Sequence, residues 1–90
     1  MRIYDLIVEP GREEHIARHH VKVEEAEEVA FGNHALYRTR QGRYVLVGQT
    51  EAGRYLTLIV APRGHGVYGL VTARDASDFE RRLYQRRRRN

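Results

Sequence analysis

The sequence has no cysteine and no tryptophan, and only two prolines and one lysine, in 90 residues. Without cysteine there is no disulfide framework and no thiolate metal centre. No apolar run approaches the ~20 residues that a membrane-spanning helix needs. Met1 is followed by Arg2-Ile3-Tyr4-Asp5, with no apolar stretch of a secretory signal, so a cytoplasmic protein with no membrane partner is the expectation. The chain also lacks a phosphate-cradling glycine loop, a G-x-S-x-G elbow and a dinucleotide fingerprint. No organic cofactor is expected.

What is present is arginine. Residues 1–36 hold four basic and eight acidic side chains, a net of −4, whereas residues 37–90 hold twelve basic and four acidic, a net of +8. Fifteen of the sixteen basic residues are Arg, Lys22 being the exception. A guanidinium grips phosphate through two parallel bonds and stacks on bases, so the basic half points to a polyanion such as RNA. Composition alone fits a solvated surface of charge equally well.

Hydrophobic periodicity predicts a single α+β domain over residues 1–90. Residues 3–8 form a short strand stopped by Pro10-Gly11. Residues 12–20 are a helix with Ile16 inward and His15 and His19 one turn apart. Residues 23–31 are a second helix, with Val23, Ala26, Val29 and Ala30 inward and four glutamates outward, ended by Gly32-Asn33. The period then changes from helical to alternating. Strands are expected over 34–40, 43–49, 54–61 and 67–74, with turns at Gln41-Gly42 and Thr50–Gly53 and a flexible loop over 62–66. This gives a four-stranded antiparallel meander whose core includes Leu56, Leu58, Val60, Leu70 and Val71. A last helix covers 78–88. The helices are expected on one face of the sheet, leaving the other partly open as an RNA platform bearing Arg and Tyr.

The junction between last strand and last helix carries the most chemistry. Ser77 stands three residues before Glu80, a capping-box spacing. Phe79 and Leu83 share one face of the helix. Arg74 closes the strand, and Glu80 and Tyr84 lie four apart on the helix, close enough to converge on one spot. The sequence Val71-Thr72-Ala73-Arg74, then Ala76, Glu80-Arg81 and Tyr84 resembles the C-terminal signature of BrnT-type toxins, small ribonucleases of type II toxin–antitoxin modules. Arg18-His19-His20-Val21 with Glu24-Glu25-Ala26 is similar to the family's basic-His-Gly-Val and Glu-Glu-Ala segments. Gly48, Thr50 and Gly53-Arg54-Tyr55-Leu56 are similar to another, and Arg63 follows the strong strand where the family often has Arg. The similarity spans roughly residues 5–84. It implies a RelE-like fold, ribonuclease activity, and a small ribbon-helix-helix antitoxin as partner, in a homodimer or a heterotetramer with that antitoxin. The chain departs from the pattern in lacking Trp and in carrying Asp75 and Asp78 where basic residues are common.

RNA cleavage without metal needs a base for the attacking 2′-hydroxyl, cations for the crowded phosphate and an acid for the leaving oxygen. Arg54, Arg63, Arg74 and Arg81 are the candidate cations and RNA contacts. Glu80, Tyr84 and His19 are the candidate proton carriers, with Arg74, Glu80, Tyr84 and His19 forming the catalytic set. Each has a plainer alternative: a salt bridge for Arg74, a cap for Glu80, packing for Tyr84, support of a turn for His19. His15 and His19 have zinc-ligand spacing but lack a third ligand, so no metal is expected. The terminal Arg86–Arg89 run sits at the negative end of a helix dipole. Two rivals stand beside the ribonuclease. One is a non-catalytic RNA- or DNA-binding module, favoured by the acids at 75 and 78. The other is a domain that only binds a protein partner.

Overall fold

Pro10, expected only to stop the first strand, opens a helix. Its fixed φ suits the first helical position, where no N–H is needed. In the structure, a computed structural model that describes residues 2–88, α1 runs Pro10–Ala17. It therefore begins two residues earlier than expected and ends three earlier. Arg18, His19 and His20 form a turn instead, and His20 takes a left-handed φ of 59°.

The second helix, α2, runs Val23–Phe31. Glu25 accepts the Lys22 N–H at 2.9 Å, closing its first turn. Its C-terminal Gly32 is extended, not left-handed, and simply donates to the Glu28 carbonyl at 3.0 Å.

The strands are β1 (Asp5–Ile7), β2 (His34–Arg38), β3 (Tyr44–Gln49), β4 (Tyr55–Gly64) and β5 (Val67–Asp75), followed by α3 (Asp78–Arg88). Strands β2 to β5 make the expected antiparallel meander. The short strand β1 joins the same sheet, parallel to β5, giving the order β1-β5-β4-β3-β2. The sheet is thus five-stranded and mixed. Strand β4 also continues through Pro62-Arg63-Gly64, where a loop was expected. Proline is tolerated there because the pairing is already irregular. The turn narrows to His65 and Gly66, with Gly64, His65 and Gly66 all at positive φ.

Alternation along β4 sends Leu56, Leu58 and Val60 to one face, where they meet α1 and α2 through Ile16, Ala26, Val29 and Ala30. All seven are at most 1% exposed, so the core lies between the sheet and these two helices. Gly48 permits the close approach of α2: a Cβ there would lie 2.9 Å from the Asn33 carbonyl oxygen and 3.1 Å from Val29 Cγ1. Val71 does not join this core. Ile59 pairs with Thr72 and Val60 with Leu70, so Val71 is the extra residue of a β-bulge.

The third helix lies on the opposite face, against β2 and β3. Tyr84 packs there with Ala35, Val45 and Val47. Its inward face carries Glu80, which is 7% exposed, whereas Phe79 is 67% exposed. No described helix is long and apolar enough to cross a membrane.

Candidate functional site

On the α3 face, Thr57 of β4 is paired across the sheet with Arg74 of β5. Glu80 drops onto both from the first turn of α3. Arg74 grips it end-on, NH1 to Oε1 at 2.8 Å and NH2 to Oε2 at 2.9 Å. The same Oε1 accepts from the Thr57 hydroxyl at 2.9 Å and from the Ser77 N–H at 2.8 Å. Ser77 Oγ in turn accepts the Glu80 N–H at 3.2 Å, completing the capping box. Glu80 is therefore a buried charge with both oxygens hydrogen-bonded, Oε1 by three donors and Oε2 by one, and pairing of this kind is what makes such burial tolerable. Its carboxyl is held down to about 2, first by the Arg74 hydrogen bonds, which outweigh the opposing effect of burial. Arg74 is pushed up by the same hydrogen bond to Glu80, again against burial.

Arg74 still has donors to offer. NH1 also donates to the Asp75 carbonyl at 3.2 Å. The fork made by Nε–H and the second NH2 hydrogen takes no partner among the described residues, and the side chain is 40% exposed. A side-on fork of this kind matches two phosphate oxygens.

Around Arg74 lies a half-buried strip of the same sheet face. Tyr37 is close enough that its phenol, raised chiefly by burial, is raised further by the Glu80 charge and lowered by Arg74. Thr72 stands two residues before Arg74 and so on the same face, roughly 6–7 Å away along the strand. Its hydroxyl meets His15 Nε2 at 3.0 Å. Arg12 NH1 donates to the Val71 carbonyl at 3.3 Å, so α1 is tied to the bulge of β5 at two points. Sequence reasoning named neither Tyr37 nor His15 as a site residue. The strand alternation that aligns Tyr37 with Val45 and Ile59 was the available signal for the first. For His15, reached from 57 positions away, there was none.

The other expected residues are distributed differently. Arg54 is an internal clasp. Its Nε donates to Asp75 Oδ1 at 2.9 Å, NH1 to the His20 carbonyl at 2.6 Å and to Glu25 Oε1 at 3.2 Å, and NH2 to the His19 carbonyl at 3.3 Å. The left-handed turn at His20 is what aims that carbonyl at Arg54. His19 contributes its backbone here, while its ring stands edge-on to His15 at 5.4 Å. Arg63 lies six residues beyond Thr57 on β4, about 20 Å away, and pairs with Glu9 at 2.7 Å. Arg81 lies 4.5 Å over the Tyr55 ring, beside Arg54, Asp75 and Ala76 in one cleft. Among the described residues the Tyr84 hydroxyl makes no hydrogen bond to Arg74 or Glu80, whose side-chain partners lie elsewhere. Its ring meets Tyr55 edge-on at 6.0 Å, and it lines a hollow toward the far end of α3. Of the tail arginines, Arg87 and Arg88 fold back onto the sheet; Arg89 lies outside the described residues.

No protein-family model and no curated protein sequence matches the chain. Among solved structures, it is similar to the Brucella abortus ribonuclease toxin BrnT, with a TM-score of 0.68 and 18% identity over 82% of this chain and 97% of that one. The chain has a BrnT-like fold.

Proposed function

We propose that this chain is a metal-independent ribonuclease toxin that cleaves RNA and so inhibits translation. The observation that carries the reading is Arg74, locked by Glu80 with one fork left open, in a fold shared with a ribonuclease toxin. Glu80 is a positioning residue in this scheme. A carboxyl held to about 2 is too weak a base to serve near neutrality, but it fixes the guanidinium before substrate arrives.

The reaction is an internal transesterification. The 2′-oxygen bonds to the adjacent phosphorus, the bond to the 5′-oxygen breaks, and the products are a 2′,3′-cyclic phosphate and a 5′-hydroxyl. The attacking hydroxyl gives up one proton and the leaving oxygen gains one, so nothing is oxidised or reduced. Arg74 would hold the phosphate oxygens. His15, which meets the Thr72 hydroxyl at 3.0 Å, would take the proton. Tyr37, whose phenol is raised and so keeps its proton, would donate a hydrogen bond to the phosphate or the leaving oxygen. Arg81, stacked on Tyr55, adds a second cation at the mouth.

A toxin needs a keeper. The reading includes a small ribbon-helix-helix antitoxin that covers Arg74 and Arg81, and a cytoplasmic setting where RNA is present. Arg54, committed to His19, His20, Glu25 and Asp75, is not part of that covered surface. The second reading is an RNA-binding module without chemistry. It is favoured by one observation: Glu80, the only carboxylate in contact with Arg74 among the described residues, is locked as an ion-pair partner.

Incubation of purified protein with single-stranded RNA separates the two. The ribonuclease reading expects cleavage to cyclic-phosphate ends, unaffected by EDTA. Binding that weakens steeply with salt but leaves the RNA uncut supports the module instead.

A further inference from the structure

Three arginines of this protein are anchored differently but keep the same donors free among the described residues. Arg74 is held through NH1 and NH2 by Glu80. Arg87 donates from NH1 to the Leu36 carbonyl at 2.7 Å, and Arg88 from NH1 to Gln49 Oε1 at 3.3 Å. In all three the Nε–H and one NH2 hydrogen remain as a side-on fork. Arg87 and Arg88 border a hollow of about 290 Å³ whose remaining lining is Asn33, His34, Ala35 and Tyr84. No carboxylate among the described residues lines it. The cleft beside Arg81 includes Asp75, and the groove along α2 includes four glutamates, whereas this hollow brings two guanidinium groups together without a carboxylate.

Tyr84 supplies a further donor. Its ring is buried, yet no described residue hydrogen-bonds its hydroxyl. No buried side-chain polar atom among the described residues lacks a partner, so the hydroxyl opens to solvent in the hollow. His34, also in the lining, is bonded through Nδ1 to the Val29 carbonyl at 3.1 Å. The carbonyls at the end of α3 disfavour an anion here by about half a charge. Two whole guanidinium charges beside them reverse the balance.

We propose that this hollow is a second phosphate subsite, taking the backbone of a nucleotide next to the one cleaved. The proposal rests on the ribonuclease reading of the Arg74 site. From Glu80 to Arg87 the helix rises about 10 Å, a span of one or two nucleotide steps. The substrate is therefore a single strand laid along α3, held at Arg74 and again at Arg87 and Tyr84. A duplex is stiff, and its paired phosphates do not follow a helix across one small sheet. Tyr84 thereby has an RNA contact without a part in the proton transfers.

The test is binding of uncleavable 2′-O-methyl oligonucleotides, a dinucleotide with one phosphate and a pentanucleotide with four, to wild type, Arg87→Gln and Tyr84→Phe. The wild type should bind the pentanucleotide more tightly. Arg87→Gln should weaken that binding about tenfold or more, as for loss of a charge-assisted contact. It should also flatten the slope of log affinity against log salt by about 0.7, as for one single-strand phosphate contact. The dinucleotide should not distinguish the proteins. Tyr84→Phe should show a smaller loss, on the pentanucleotide alone. Equal pentanucleotide affinity and slope in wild type and Arg87→Gln overturn the subsite. So does an equal loss on both oligonucleotides. Failure of the ribonuclease reading looks different: RNA remains uncut while the length-dependent affinity persists.

Discussion

The two faces of the sheet do different work with the same backbone. One is closed by α1 and α2 over Leu56, Leu58 and Val60, none of them exposed. The other is covered in part by α3 and carries Thr57, Glu80, Tyr37 and Arg74. Two arginines mark the contrast. Arg54 reaches the α1–α2 side, and each of its nitrogens donates to the protein. Arg74, one residue before the Asp75 that Arg54 binds, turns to the α3 side and keeps a fork open. Stability is concentrated on the first face and polar chemistry on the second. A positively charged sequence does not say which arginine is which; the partners of each nitrogen do.

That contrast can be broken by substitution. Leu58→Ala on the closed face should cost about 2–5 kcal/mol, the range for emptying a core position. Chemical denaturation measures it, and RNA affinity below the unfolding transition should be unchanged. A loss of RNA affinity without loss of stability would erase the division between faces.

Glu80→Gln on the second face should cost less, about 1–4 kcal/mol, between the limits for exposed and buried pairs because Arg74 is partly exposed. It should also lower cleavage, since Arg74 loses its anchor. The pH dependence follows from sign. The Glu80 carboxyl is lowered from 4.5 to about 2 by folding, chiefly through Arg74. Its contribution is therefore complete above pH 4.5 and disappears as pH falls towards 2. Melting curves over that window should drop more steeply for wild type than for Glu80→Gln. Parallel curves would mean that the pair contributes nothing to stability.

Tyr84→Phe should have the smallest effect. It keeps the ring against Tyr55 and Val47 and removes only a hydroxyl that no described residue binds, so the melting temperature should stay within a few degrees. Single-turnover cleavage of a dinucleotide should also be unchanged. A large loss there would place the phenol in the chemistry after all.

Much of this fold was legible because local signals agreed with it. The glutamate-faced α2, the alternating Leu56-Leu58-Val60 and the Ser77–Glu80 capping box all act over a few residues. The misreadings have non-local causes. The parallel placement of β1 beside β5 is settled by contacts more than 60 residues apart, such as Asp5 with Val67. The burial of Glu80 in α3 is non-local in the same way, because an apolar pair such as Phe79 and Leu83 normally outranks a glutamate for burial. Arg74, Thr57 and Ser77 together reverse that order by hydrogen-bonding both Glu80 oxygens. Of the site, the Arg74–Glu80 pair was visible from spacing across one junction. The Arg54 clasp and the approach of His15 and Tyr37 were not, since each depends on how separate elements pack.

The central claim is that Arg74, not Arg54 or Arg63, holds the scissile phosphate. Single-turnover cleavage of single-stranded RNA by wild type, Arg74→Ala and Arg74→Lys, with melting temperatures alongside, tests it most directly. The account predicts a loss of about 10²-fold or more for both variants, as for one transition-state donor. Arg74→Lys, which keeps the charge but not the fork, should remain folded and still fail to cleave. Wild-type cleavage by either variant while folded would contradict the account and move the site elsewhere.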